Sequence, residues 1–178
     1  MKKICIIFLL SIIISLTALG FSGGLGGSDR ATNEYLRIHI RADSNEREAQ
    51  AVKYLVRDGI VEYLTPIVAC CETKTEAISG VSARLDGIEK KAEQILSQNG
   101  FPYGASVKLT KENFPTRVYG DYTLPAGEYT ALIVELGEGQ GDNWWCVVYP
   151  PLCFAAPTGG NVVYKSKILE IIENWKNG

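Results

Sequence analysis

The run Glu128 to Leu136, EYTALIVEL, is apolar on both of the faces that a strand presents. Such a strand is stable only when covered above and below, so it belongs inside a sheet with partners on each side. That requirement fixes the character of the chain: a sheet with helices packed on it. A second strand is predicted at Tyr35 to Ala42, YLRIHIRA, where Leu36, Ile38 and Ile40 alternate with Arg37, His39 and Arg41. Strict alternation of this kind reads as a half-buried strand with one wet face. Ala105 to Thr110 repeats the period of two. Gly137, Gly139 and Gly141 then predict a hairpin turn that returns Asn143 to Tyr149 against the 128–136 strand.

Between the first two strands the period becomes helical. Ala49, Val52, Val56, Ile60 and Tyr63 recur at three- and four-residue steps, with Pro66 predicted to end the helix. Asn45 and Glu48 have the spacing of a capping box. Thr73 and Glu76 have it too, and open a second helix whose stripe is Ile78, Val81, Leu85, Ile88, Ala92 and Ile95, closed by Asn99-Gly100. Asn113 to Gly127 reads as a loop crossing, and a short last helix is predicted over roughly 163–175. The expected class is therefore α+β: a small, mainly antiparallel sheet, two helices after the first strand, and a short C-terminal helix.

The N-terminus bears on location. Lys2 and Lys3 precede a 16-residue uncharged apolar run, Ile4 to Leu19, and Ala18-Leu19-Gly20 has small residues at signal-peptidase spacing. The run is slightly short for a membrane span of about 17–25 residues. Residues 1–20 are thus expected to be a signal peptide or an N-terminal anchor, residues 21–34 a flexible glycine- and serine-rich linker, and 35–178 a single extracytoplasmic domain. Membrane contact is then confined to the N-terminal segment, where it is retained.

Composition narrows the chemistry. Eighteen basic and twenty acidic residues give a net charge of −2, which offers no broad basic surface for nucleic acid. The one histidine, His39, leaves little scope for a histidine-rich metal site, and the vicinal pair Cys70-Cys71 lacks the C-x2-C spacing of zinc ligands. GEGQGDN, Gly137 to Asn143, has no Lys-Ser/Thr ending and precedes a strand instead of a helix, so it is a turn and not a phosphate loop. Asp43, Glu46 and Glu48 read as helix-start charges, Asp121 and Asp142 as turn residues. A cysteine hydrolase would need His39 as base to Cys146 or Cys153, yet no cysteine-protease signature surrounds either. No catalytic residue, cofactor or metal ligand is therefore assigned.

The segment Asn143 to Phe154, NWWCVVYPPLCF, is the unusual one. Adjacent strand tryptophans point to opposite faces. Trp144 shares a face with Cys146, and Trp145 is placed beside Val147 and Tyr149; one ring is expected in the core and the other near the surface. Aromatic and arginine side chains are favoured at protein interfaces, so Arg37, Arg41, Asn143, Trp144 and Trp145 are the candidate partner-binding residues. For Arg37 and Arg41 the alternative is plain solubilising charge.

Three blocks carry a family resemblance: FPTRVYG at Phe114 to Gly120, PAGEY at Pro125 to Tyr129, and NWWCVVYPPLCF, preceded by LRIHIRADSNEREAQAVKYLVRD from Leu36. Together they resemble the stage II sporulation protein R family of endospore-forming bacteria. The resemblance implies a non-catalytic signal, secreted from the forespore into the space between the two membranes. There it would activate a membrane-embedded aspartic protease of the mother cell, which processes the pro-form of sigma factor E. A secreted thiol-dependent or cell-wall hydrolase is the alternative. In an oxidising compartment the four cysteines beyond Cys5 allow three pairings. Cys146 and Cys153 flank Pro150-Pro151 and are expected to join, against the alternative of two reduced, buried thiols.

Overall fold

A computed structural model describes residues 32–119 and 122–152. The expected signal segment, most of the expected linker, Cys153 and the segment expected to form a C-terminal helix lie outside the described residues. Among the described residues the main elements run in the order β1 (Leu36–Arg41), α1 (Arg47–Val68), α2 (Lys74–Ser82), α3 (Leu85–Gln98), β2 (Ala105–Phe114), β3 (Arg117–Tyr119), β4 (Tyr122–Leu124), β5 (Gly127–Leu136) and β6 (Asn143–Tyr149). The class is α+β.

The main sheet has the order β2-β5-β1-β6. β2 pairs antiparallel with β5, β1 runs parallel to β5, and β6 runs antiparallel to β1. The sheet is therefore mixed rather than mainly antiparallel, and the expected β5–β6 hairpin does not form. β1 takes the place between them because its residues are buried on both faces, which an edge could not provide. The six residues 137–142 are long enough to cross the end of β1, two strand spacings of about 4.8 Å each. They attach to it on the way: the amides of Gln140 and Gly141 donate to the carbonyls of Asp43 (3.0 Å) and Ala42 (2.9 Å). β5, read as doubly covered, is an interior strand as expected.

One face of the sheet carries the helices. Leu36, Ile38 and Ile40 of β1 pack with Leu132, Val134 and Leu136 of β5 against Val52, Val56, Ile60 and Leu64 of α1, with Ile88, Ala92 and Leu96 of α3 completing the core. Each such fully buried aliphatic side chain contributes roughly 1.5–3 kcal/mol. Three helices occupy the region read as two. The second stretch breaks at Ala83-Arg84, where the Arg84 amide bonds back to Val81 and its side chain donates to the Gly80 carbonyl. The break re-aims α3 along α1, close enough that a β-carbon on Gly87 would stand 2.3 Å from the Tyr63 hydroxyl.

Local signals also gave way to tertiary contacts. The helix α1 runs two residues past Pro66. Its N-cap is Glu46, without a side-chain cap, because the Asn45 side-chain Oδ1 accepts from the Asp142 backbone amide (2.6 Å) instead. The Thr73 hydroxyl does cap α2 through the Glu76 amide (3.2 Å). The stretch read as a loop contains the end of β2 and the two-stranded sheet β3–β4.

The small sheet β3–β4 helps to close the other face of the main one. Its residues Tyr119 and Leu124 join Tyr35, Phe114, Tyr129, Ala131, Ile133 and Val147 in a second apolar cluster, away from the helices. The face of β1 read as wet is consequently covered: Arg37 is 0% and His39 5% exposed. Alternation correctly separated the two faces of the strand, but polarity alone gave no sign that aromatic side chains from other strands would cover one.

Candidate functional site

Side chains of Arg37, His39 and Arg41 project in a row from β1 into the face opposite the helices. At one end Arg37 lies in an aromatic box, its guanidinium carbon 4.2 Å from the Phe114 ring centroid, 4.9 Å from that of Tyr129 and 5.7 Å from that of Tyr119. Its Nη2 donates to the Tyr119 hydroxyl at 2.6 Å. Its Nε and Nη1 are buried without a hydrogen-bond partner. Burial pulls this guanidinium below its ordinary pKa; Tyr119 opposes the shift and the neighbouring Arg117 adds to it. Tyr119 and Tyr129, in turn, are raised chiefly by burial.

In the middle of the row, His39 bonds on both ring nitrogens, Nδ1 with Glu112 Oε2 (2.7 Å) and Nε2 with Asn143 Oδ1 (2.8 Å). Its ring stacks on Trp145 at 5.2 Å and meets the edge of Phe114 at 6.0 Å. At the far end Arg41 bridges two carboxylates, Glu112 and Glu135. Lys108 also donates to Glu135 at 2.9 Å, and this bond, with Arg41 beside it, holds the Glu135 carboxyl below the ordinary value. Glu112 is thus shared by His39 and Arg41, and Glu135 by Arg41 and Lys108.

The candidate residues divide between the faces. Arg37, Arg41, Asn143 and Trp145 share the face opposite the helices, and His39 links the last two. Arg37 is not a surface residue, which corrects its assignment to a wet face; the rings of Phe114, Tyr119 and Tyr129 enclose it. Trp144 points the other way, as adjacency on a strand requires, packing on the helix-side core with the Arg57 guanidinium 5.6 Å from its ring. Arg57 also lies over half-exposed Tyr54. Tyr149, expected beside Trp145, instead joins Trp144's side. A register shift at Leu36/Arg37 puts Val148 in excess, and a bulge of this kind re-aims the residue beyond it.

Two further residues complete the site, and neither stood out in the sequence. Arg117 lies 4.1 Å over the Trp145 ring, and its Nε too is buried without a partner. Tyr119 donates to the Trp145 carbonyl at 3.3 Å. The signal for both was the alternation within FPTRVYG, which puts Arg117 and Tyr119 on one face of a short strand.

Cys146 is opposite Ile38 in the ladder and faces the helices, whereas His39 faces away from them. The two cannot act together as base and nucleophile. Cys146 is disulfide-bonded, and Cys70 and Cys71 are free thiols. Among the described residues no group of three or more His, Cys, Asp or Glu side chains is arranged to hold a metal ion, and no helix is long and apolar enough to cross a membrane.

Comparison with known proteins gives one consistent result. Residues 32–158 match the family model of stage II sporulation protein R. The chain is 35% identical over 131 residues to stage II sporulation protein R of Bacillus subtilis (strain 168), an alignment that covers 74% of this chain and 58% of the relative. No solved structure matches.

Proposed function

The chain belongs to the stage II sporulation protein R family, and from that premise we propose that it is an extracytoplasmic signal between the compartments of a sporulating cell. In this reading it leaves the forespore by its N-terminal segment and enters the space between the forespore and mother-cell membranes. It then binds and activates a membrane-embedded aspartic protease of the mother cell, which processes the pro-form of sigma factor E. The observation that carries the reading is the family match over residues 32–158, which includes every described strand and helix.

The rival, a secreted thiol-dependent or cell-wall hydrolase, is disfavoured by one geometric fact. His39, the histidine available as a base, has both ring nitrogens engaged and lies across the sheet from Cys146. A protein that acts by contact instead needs a rigid surface on a stable scaffold, which the doubly covered sheet supplies.

Deletion of the gene in its sporulating host tests the reading. Immunoblots should then show the sigma factor held in its pro-form, with processing restored by the full chain supplied in trans. Normal processing in the deletion strain would overturn it.

A further inference from the structure

Among the described residues, the face opposite the helices holds more cations than its anions neutralise. Both carboxylates along the β1 row are committed at the Arg41 end: Glu112 to His39 and Arg41, Glu135 to Arg41 and Lys108. At the other end Arg37 donates to the Tyr119 hydroxyl, which itself donates to the Trp145 carbonyl, and Arg117 lies over the Trp145 ring. No ion pair among the described residues involves either arginine. The two guanidiniums repel each other closely enough for Arg117 to lower the pKa of Arg37. Both keep a buried Nε–H without an acceptor, and Arg37 keeps its Nη1 unbonded as well.

A fully buried guanidinium with no counter-ion among the described residues is costly to desolvate. The three rings around Arg37 return part of this through cation–π attraction. A hydrophobic side chain would fill the same space without the cost, so the retained charge calls for a role. Arginine presents two N–H groups on one edge in a fork that matches a carboxylate, and Nε and Nη2 form such an edge. In Arg37 the Tyr119 hydroxyl occupies only the Nη2 half.

We propose that Arg37 and Arg117 form a receptor site for a carboxylate on an acidic peptide segment of the protein this chain activates, with the Tyr119 hydroxyl holding the place until that carboxylate arrives. The proposal rests on the signalling role argued above and deepens it by naming the chemistry recognised. Arg117, half-buried over Trp145, is the first contact. Displacement of the Tyr119 ring then lets the carboxylate reach the Nε–Nη2 edge of Arg37, where the walls of Phe114, Tyr129 and Trp145 exclude water. A planar monoanion suits this dry box better than a phosphate dianion, whose desolvation is more costly.

The test uses the full chain and sodium acetate as probe, following the arginine Nε–H resonances by ¹⁵N NMR. Acetate should shift the Arg37 and Arg117 signals along one saturable curve, at least fivefold weaker in R117Q. Absence of a shift, a response that does not saturate, an unchanged curve in R117Q, or phosphate saturating at lower concentration than acetate would each overturn the assignment. R37M, which removes the charge but keeps the volume, should fold with an unchanged or higher Tm and lose the acetate response. If R37M does not fold, the half-exposed R117Q decides alone. In the host, R117Q should reduce sigma factor processing at least tenfold at wild-type protein levels; wild-type processing would sink the partner assignment. Should the gene deletion itself leave processing intact, the signalling role fails, while the acetate titration still judges the site.

Discussion

His39 stacks on Trp145 at 5.2 Å while its Nε2 bonds to Asn143, two residues earlier on the same strand. One imidazole therefore ties the central strand to its neighbour twice, through a ring face and through a side-chain amide. Trp145→Ala removes the stacking surface and the platform under Arg117. A loss of about 3 kcal/mol, in the range of large aromatic truncations, is the expected outcome in urea denaturation. Trp145→Phe should recover at least half of it.

Gly137 has φ +56°, and a β-carbon there would stand 2.1 Å from an Asp43 carboxylate oxygen. That oxygen accepts from the Glu138 amide at 2.9 Å, so the clash cannot be relieved without losing a contact that ties the 137–142 crossing to the β1–α1 turn. Gly100 has φ +79° with nothing within 4 Å of a β-carbon. Gly137→Ala should therefore cost about 2–3 kcal/mol and Gly100→Ala only about 1 kcal/mol, the part due to backbone conformation. Equal denaturation midpoints for the two variants would contradict the steric account.

The Lys108–Glu135–Arg41 arrangement makes a pH prediction. Lys108 first, then Arg41, lowers the Glu135 pKa in the folded protein. The unfolded state consequently binds more protons in the window between the folded and unfolded values, and stability rises with pH across it. This contribution is present above the ordinary glutamate range and disappears as pH falls through the lowered folded value. Glu135→Gln should flatten the dependence of Tm on pH in that acidic window, as followed by calorimetry; an unchanged slope would contradict it.

Cysteine accessibility gives a chemical check. Cys70 is an exposed free thiol, and Cys146 is disulfide-bonded and buried. Under native, non-reducing conditions an alkylating reagent should modify Cys70 and leave Cys146 untouched until a reductant is added. With Cys153 as the proposed partner, the short loop predicts a stabilisation of about 2–3 kcal/mol, lost on reduction. Peptide mapping by mass spectrometry identifies the linked pair, and a thiol-labelled Cys146 in unreduced protein would refute the bond.

Local pattern carried some of this structure and not the rest. The paired periodicities of β1 and α1, the interior character of β5 and the opposed tryptophans follow from side-chain period and could be read directly. The insertion of β1 between β5 and β6 depends on contacts about a hundred residues apart, which no window along the chain contains. The candidate site suffered for the same reason. Arg37 and His39 looked solvated because they are polar, and only the fold reveals that Phe114, Tyr119, Tyr129 and Trp145 converge over them. Arg117 and Tyr119 were visible as a pattern inside FPTRVYG, but their nearness to Arg37 was not.

The parallel register of β1 with β5 links residues 94 positions apart, as between Arg41 and Glu135. The first strand made is thus the one on which the sheet closes, and its two neighbours are among the last described segments to be synthesised. Loop-closure entropy must be met before these long-range pairings form, and contact order of this kind slows folding. A nascent chain cannot complete its core until residue 149 is free. Until then β1 does not have both of its partners, and α1 and α3 have no closed sheet to cover.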